Sequence, residues 1–352
     1  MSRYLVTGAT GFLGRHLVRT LLDRGDAVVA LVRKPADLPA AVTQVTGDVL
    51  DPESIAEALV GCDGVFHCAG KVSRKPEDAE ELYKLHVDGT KNVLAAMVKR
   101  GVLRVVVAST SGTIAVGDDP DRIYTEEDSS PIGLLQRWPY YRSKLFAEMA
   151  ALEQNGKDGL EVVCVNPTLL LGPGDVNGSS TEDVRLFLER KIPAIPPGGL
   201  SYVDARDAAL AMALAMDKGI GGRRYLIGAC NLTIKEFFAR LERVSGVRGP
   251  ILPMPRQARE IAKTGAEMLQ QLSERLGIPV SVDPVSLDMA HFYWYLDASL
   301  AESELGWAPR DPTVTLVATV RDLEERGVVW PQTGGSFLST LRRRITDVRD
   351  EA

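Results

Sequence analysis

Eight residues near the start of the chain limit its fold more than any others: Thr7-Gly-Ala-Thr-Gly-Phe-Leu-Gly14, directly after the apolar run Tyr4-Leu-Val6. Glycines at 8, 11 and 14 sit where a chain leaving a strand must turn tightly, let a phosphate approach the backbone and pack the next helix closely. That helix is written in Phe12, Leu13, Leu17, Val18 and Leu21, which share one face, and a second strand-like run, 27–32, arrives on schedule. Strand, glycine turn and helix in this order are the context for dinucleotide binding, with Gly8, Thr10, Gly11, Phe12, Leu13 and Gly14 as contacts. The plainer alternative is a tight turn with no ligand.

Apolar runs at 4–6, 27–32, 64–68, 104–108 and 161–165 alternate with segments of helical period, the pattern of a parallel sheet covered on both faces. Asp51-Pro52 reads as a helix start, and Gly101 after Lys99-Arg100 as a helix end. Beyond about 168 the rhythm changes, with proline and glycine gathering at 192–199 and 249–256. The expected fold is α/β, a Rossmann-type doubly wound parallel sheet with a smaller, interleaved C-terminal substrate domain. Residues 1–168 form the first, part of 200–230 returns to it, 169–330 mainly form the second, and 331–352 are a peripheral tail. Thr233 to Glu236 has capping-box spacing, and 259–276 reads as a long helix.

Of 352 residues, 45% are hydrophobic and 25% charged, so a core of ordinary size is available and disorder is excluded. With 41 basic against 47 acidic residues and no long basic face, nucleic acid is not an expected partner. Cys62, Cys68, Cys164 and Cys230 have no paired spacing and there are four histidines, so no metal is expected. The most apolar helical stretch, 208–216, is far below the ~20 residues of a membrane span. The N-terminus runs straight into the first strand, which leaves no signal-peptide core and makes a cytoplasmic location the expectation.

At the end of the second strand stand Arg33 and Lys34, where an NAD-selective site offers a carboxylate to the ribose hydroxyls. A guanidinium there suits a 2′-phosphate and favours NADP, while Asp37 keeps NAD open. Asp48 and Val49, in Gly47-Asp-Val, are placed to meet the adenine, although Asp48 also fits an ordinary turn acid. Cys68, Ala69 and Gly70 close another strand with small residues that let a cofactor lie close. His67 reads as a packed histidine rather than a base.

Tyr140 and Lys144 lie four apart at the start of a helix, hence on one face. A phenol with a pKa near ~10 exchanges protons poorly at neutral pH unless a cation stabilises its anion. The preceding strand ends in Ser109-Thr-Ser111, hydroxyls suited to a substrate oxygen. At this point the chain resembles the extended short-chain dehydrogenase/reductase family over about residues 3–330. Val87-Asp-Gly-Thr-Lys-Asn-Val93, Asn166-Pro-Thr-Leu-Leu-Leu-Gly-Pro173, Tyr202-Val-Asp-Ala-Arg-Asp207 and Glu304-Leu-Gly-Trp-Ala-Pro309 are similar to its dihydroflavonol 4-reductase and 3β-hydroxysteroid dehydrogenase branch. Bacterial members are often labelled NAD-dependent epimerase/dehydratase.

The resemblance implies an NAD(P)-dependent ketone reductase or alcohol dehydrogenase with Tyr140 as acid/base and Lys144 tuning it and holding the nicotinamide ribose. It places the hydroxyl role on Thr110, with Ser109 or Ser111 as alternatives if the register slips by one, and adds Pro167, Thr168 and Leu169 to the cofactor contacts. His86 stands where relatives commonly have Asn and is expected to hydrogen-bond backbone as Asn does. Three functions remain open. The first is an NADP-dependent reductase of a hydrophobic or aryl ketone or aldehyde. The second is a nucleotide-sugar epimerase or dehydratase with tightly held NAD, for which Arg185, Arg190, Lys191 and Arg206 are candidate pyrophosphate ligands. The third is a non-catalytic dinucleotide-binding scaffold. A small-molecule substrate and a homodimer are the expected partners.

Overall fold

Residues 1–254 and 284–330 are described by a computed structural model, and they build two sheets. The larger has seven parallel strands in the order β3-β2-β1-β4-β5-β6-β9. These are β1 (Arg3–Thr7), β2 (Ala27–Val32), β3 (Thr43–Thr46), β4 (Gly64–His67), β5 (Arg104–Ala108), β6 (Glu161–Pro167) and β9 (Arg224–Ile227). Central strands such as Arg-Val-Val-Val-Ala in β5 are apolar almost throughout because helices cover both of their faces. On one face lie α1 (Phe12–Asp23) and α8 (Ala205–Lys218), packed on each other. On the other lie α2 (Pro52–Ala58), α4 (Gly89–Arg100) and α6 (Pro139–Leu152).

The edge strand β3, Thr-Gln-Val-Thr, was not among the sequence-derived strands. Its residues are exposed or half-buried, so no apolar period marks it, and its only strand partner is β2. Ahead of α4 the chain is already helical: α3 (Ala79–Tyr83) passes into a wider turn, Lys84–Asp88, before α4 begins. Such widened turns often sit at functional sites, and this one buries His86.

The smaller sheet pairs β7 (Leu169–Leu171) in parallel with β8 (Gly199–Asp204), and β8 antiparallel with β10 (Cys230–Thr233). Phe187 of α7 (Glu182–Leu188), Phe237 and Phe238 of α9 (Ile234–Ser245), and Leu316 and Val320 of α11 (Pro312–Glu325) share its core with Tyr202. The capping box at Thr233 and Glu236 is formed as its spacing demanded. Between β8 and β10 the chain returns to the large sheet through α8 and β9, so the two sheets are interleaved. The helix expected over 259–276 and the tail 331–352 lie outside the described residues. Among those described, no helix is long and apolar enough to cross a membrane.

Candidate functional site

The order of strands reverses at β1, which has β2 on one side and β4 on the other. Above their carboxyl ends, where doubly wound sheets bind ligands, lies the glycine turn. Gly8 has φ +70°, and a Cβ there would stand 2.5 Å from the Cys68 carbonyl. At Gly14 a Cβ would stand 2.1 Å from the Gly8 oxygen, so helix and strand touch backbone to backbone. Gly11 is looser, 3.3 Å from that oxygen, and it starts α1 with no side-chain cap and no acid in the first turn. An uncapped helix start over a glycine cradle fits a pyrophosphate.

Arg33 and Lys34 are exposed beside this turn, with no hydrogen bond or ion pair among the described residues. Arg15 ties the rim together by donating to the carbonyls of Thr10 and Asp37, at 3.1 and 2.9 Å. Asp48 takes the turn role: its Oδ1 accepts the Leu50 N–H at 2.9 Å, while buried Val49 packs under Gly89. Cys68, Ala69 and Gly70 run alongside the turn, and Ala69 N–H donates to the Thr7 hydroxyl at 3.2 Å. Pro167 and Thr168 are buried at the exit of β6 with Leu169 half-buried beyond, and the Thr168 Oγ1 has no partner.

Both histidines near the site are neutral hydrogen-bond relays. Thr7 Oγ1 lies 2.8 Å from His67 Nδ1, and His67 Nε2 lies 3.0 Å from Thr90 Oγ1, which itself donates to the His86 carbonyl. His86 Nε2 accepts the Lys71 N–H at 3.1 Å, so its Nδ1–H donates to Ser143 Oγ at 2.8 Å. His86 thus bonds backbone as expected and joins the loop after β4 to α6. Burial pushes His67 down to about 3 and, with Lys144 adding to it, His86 down to about 2. Each takes a proton only on unfolding, so stability falls as pH drops below ~6.5, the unfolded value, toward these folded values. The expected slope is up to ~1.4 kcal/mol per pH unit for each ring. Urea unfolding between pH 7 and 5 should show it, and His67→Asn should flatten it.

On α6, Lys144 Nζ donates to the Ala108 carbonyl at 2.6 Å. The Tyr140 ring meets His86 edge-on at 5.8 Å and Tyr141 at 5.0 Å, and its hydroxyl makes no hydrogen bond among the described residues. Burial, with Tyr141 adding to it, pushes the phenol above its ordinary value, and the lowering by Lys144 that the spacing suggested does not enter in the protein alone. The three hydroxyls after β5 divide cleanly. Ser109 points into the interior and donates to Glu148. Thr110 is half-buried, its hydroxyl holding only the Gly112 N–H at 3.4 Å, and Ser111 is buried at the start of the next turn.

That turn packs against two aromatic rings. A Cβ on Gly112 would stand 2.2 Å from the Tyr141 ring and 2.8 Å from Trp294. Tyr141 and Trp294 lie 4.9 Å apart at 36°, and Trp138 and Phe292 continue the cluster. Phe292 and Trp294 therefore pack against the turn after β5 and the start of α6, although Trp294 lies some 150 residues from Tyr141 in sequence. The cations considered for a sugar nucleotide are engaged instead. Arg185 is held by Glu182 and Glu189 at 2.6 and 2.7 Å, Lys191 by Glu189 at 2.8 Å and Arg206 by buried Asp204 at 2.6 Å. Among the described residues, no cluster of His, Cys, Asp and Glu gathers as a metal site. Glu148 and Asn166, both buried under Thr110, were missed; a carboxylate four residues past Lys144 was the available signal.

Comparison with known proteins agrees with this geometry. The model of the NAD dependent epimerase/dehydratase family matches residues 4–228. A Synechocystis protein provisionally named dihydroflavonol 4-reductase is 34% identical over 338 residues, covering 94% of this chain and 96% of its own. Cinnamoyl-CoA reductase 1 of Oryza sativa subsp. japonica is 35% identical over 238 residues, 63% of this chain and 69% of its own. Among solved structures, that of gox2253 superposes with a TM-score of 0.78 at 26% identity, covering 94% of this chain and 100% of its own. The protein is therefore an NAD(P)-dependent oxidoreductase by family, belonging to the NAD-dependent epimerase/dehydratase group of extended short-chain dehydrogenases/reductases, similar to the dihydroflavonol 4-reductase branch.

Proposed function

We propose that this protein is an NADP-dependent reductase of a hydrophobic or aryl ketone or aldehyde. The observation that carries the reading is the Tyr140 phenol, its pKa raised by burial and its hydroxyl without a hydrogen-bond partner among the described residues, one helical turn from Lys144 on α6 and edge-on to Tyr141, whose ring in turn lies against Trp294. The bound cofactor supplies a hydride to the carbonyl carbon. Thr110 and Tyr140 hydrogen-bond the carbonyl oxygen, and Tyr140 gives up its proton as charge develops there. A phenol kept protonated by burial suits this direction, because the developing alkoxide is a far stronger base than phenolate. Lys144 spends one donor on Ala108 and keeps two for the ribose; its charge then stabilises the phenolate left behind. Tyr141 and Trp294 offer a flat apolar surface against which an aryl group stacks.

The paired state of Arg185, Lys191 and Arg206 speaks against a sugar-nucleotide pyrophosphate as ligand. Titration with NADPH and NADH, followed by nicotinamide fluorescence, tests the reading. NADPH is expected to bind more tightly, and Arg33→Ala to weaken NADPH by ~10–100-fold while leaving NADH nearly unchanged, since a charge-assisted contact is worth ~1.5–3 kcal/mol. Retained NAD after purification, or a preference for NADH, would favour an epimerase or dehydratase. Binding of neither would leave the scaffold.

A further inference from the structure

Behind Lys144, on the same face of α6 and one turn further on, lies Glu148, 2% exposed. Its Oε2 accepts from Ser109 Oγ, from Thr113 Oγ1 at 3.0 Å and from Asn166 Nδ2 at 2.6 Å. Its Oε1 faces Arg224 of β9 at 3.4 Å. Asn166 in turn donates to the Thr110 carbonyl at 3.1 Å, and the single Thr113 hydroxyl proton is shared between Glu148 and that carbonyl, 2.9 Å away. One carboxylate therefore gathers β5, β6, β9 and α6 under the hydroxyl and the ammonium of the proposed reducing centre.

We propose that Glu148 is a positioning residue for that centre: it clamps the 109–113 turn that presents Thr110, and it is the buried countercharge of Lys144. The proposal rests on the reductase reading for its catalytic consequence, though not for the pairing itself. Lys144 shares the Glu148 carboxylate with Arg224, which stays charged as its ion-pair partner, and the other titratable groups facing Lys144 are neutral near pH 7. They are His67 from β4, Cys68 from the end of β4, Cys164 from β6 and His86 from the wide turn, with the Tyr140 phenol one turn back on α6 also neutral. Burial lifts the phenol and both thiols and depresses both imidazoles. Burial also pulls the Lys144 ammonium below its ordinary value, and Glu148 is foremost among the groups that oppose this. A buried ammonium without a compensating carboxylate sheds its proton.

The test compares Glu148→Gln, which keeps the size and removes the charge, with Glu148→Asp, which keeps the charge and shortens the reach. Peptide-resolved acylation of the Lys144 amine against pH, on the full chain without substrate, reads the ammonium directly. Glu148→Gln is expected to lower its apparent pKa by about one to two pH units, the size of an ion pair across one helical turn at an effective dielectric near 20. The alkaline limb of the kcat profile for NADPH-dependent carbonyl reduction should move with it, and Glu148→Asp should leave both near the wild-type position. A Gln variant that melts lower but titrates like wild type would overturn the proposal. So would an Asp variant whose Lys144 shifts as far as it does with Gln. Should the Gln variant not fold, a wild-type Lys144 that already titrates below pH 8 overturns it, and one charged well above pH 8 supports it. A protein that reduces no carbonyl but shows the Lys144 shift would refute the reductase reading and uphold the pairing.

Discussion

Replacing Tyr140 by Phe is expected to lower kcat for NADPH-dependent carbonyl reduction by ~10²–10⁴-fold, the usual contribution of a placed general acid, while NADPH still binds. The substitution removes one atom. The ring keeps its edge contacts to His86 and Tyr141, and among the described residues the hydroxyl has no hydrogen-bond partner to abandon, so the fold loses little. Steady-state kinetics beside a nicotinamide-fluorescence titration separate the two quantities. A fall in kcat of less than about tenfold would show that some other group delivers the proton. Ser111 is the neighbour to examine in that event, since Ser109 is committed to Glu148. Unchanged kcat with weakened NADPH binding would reduce Tyr140 to a cofactor contact.

The second large effect is expected at the glycine turn, where the three positions separate stability from binding. Gly14→Ala places a methyl group 2.1 Å from a backbone oxygen that belongs to the same tight turn, so no side chain can swing aside. Helix and strand must part, at a cost of ~3 kcal/mol or more by the scale of overpacked cores. Gly8→Ala adds the strain of φ +70° to a 2.5 Å clash and should behave alike. Gly11→Ala is different: its added carbon sits 3.3 Å from the nearest atom, a contact that yields to a small shift. Its methyl group would stand at the helix start where the pyrophosphate comes close, so the NADPH Kd should rise tenfold or more, about 1.4 kcal/mol, with the urea midpoint nearly unmoved. Equal destabilisation at 11 and 14 would mean that the turn is a packing device with no phosphate above it.

Much of this protein was legible before any coordinate. The glycine turn and the buried strands are local patterns, each decided within a few residues, and the structure places them where their spacing demanded; Tyr140 and Lys144 fall on one helix, as their spacing required. Helix caps at Asp51 and Thr233 are local in the same sense, because the side chain that caps lies next to the amides it caps. The edge strand β3 was not legible, since with one neighbour and solvent beside it nothing selects an apolar period.

Three matters only the tertiary structure decided. Which hydroxyl of Ser109-Thr-Ser111 faces the cleft depended on Glu148 and Asn166 capturing Ser109 and the Thr110 carbonyl from two other elements. That Trp294 lies against Gly112 and Tyr141 is a contact between segments some 150 residues apart that no local pattern announces. Whether the arginines near 185–206 are ligands or ion-pair members depended on carboxylates that one-dimensional spacing does not rank. The physical reason is common to all three. Periodicity and capping report what a segment must bury or satisfy, whereas the partner that satisfies it is chosen by the packing of strands and helices far apart in the chain.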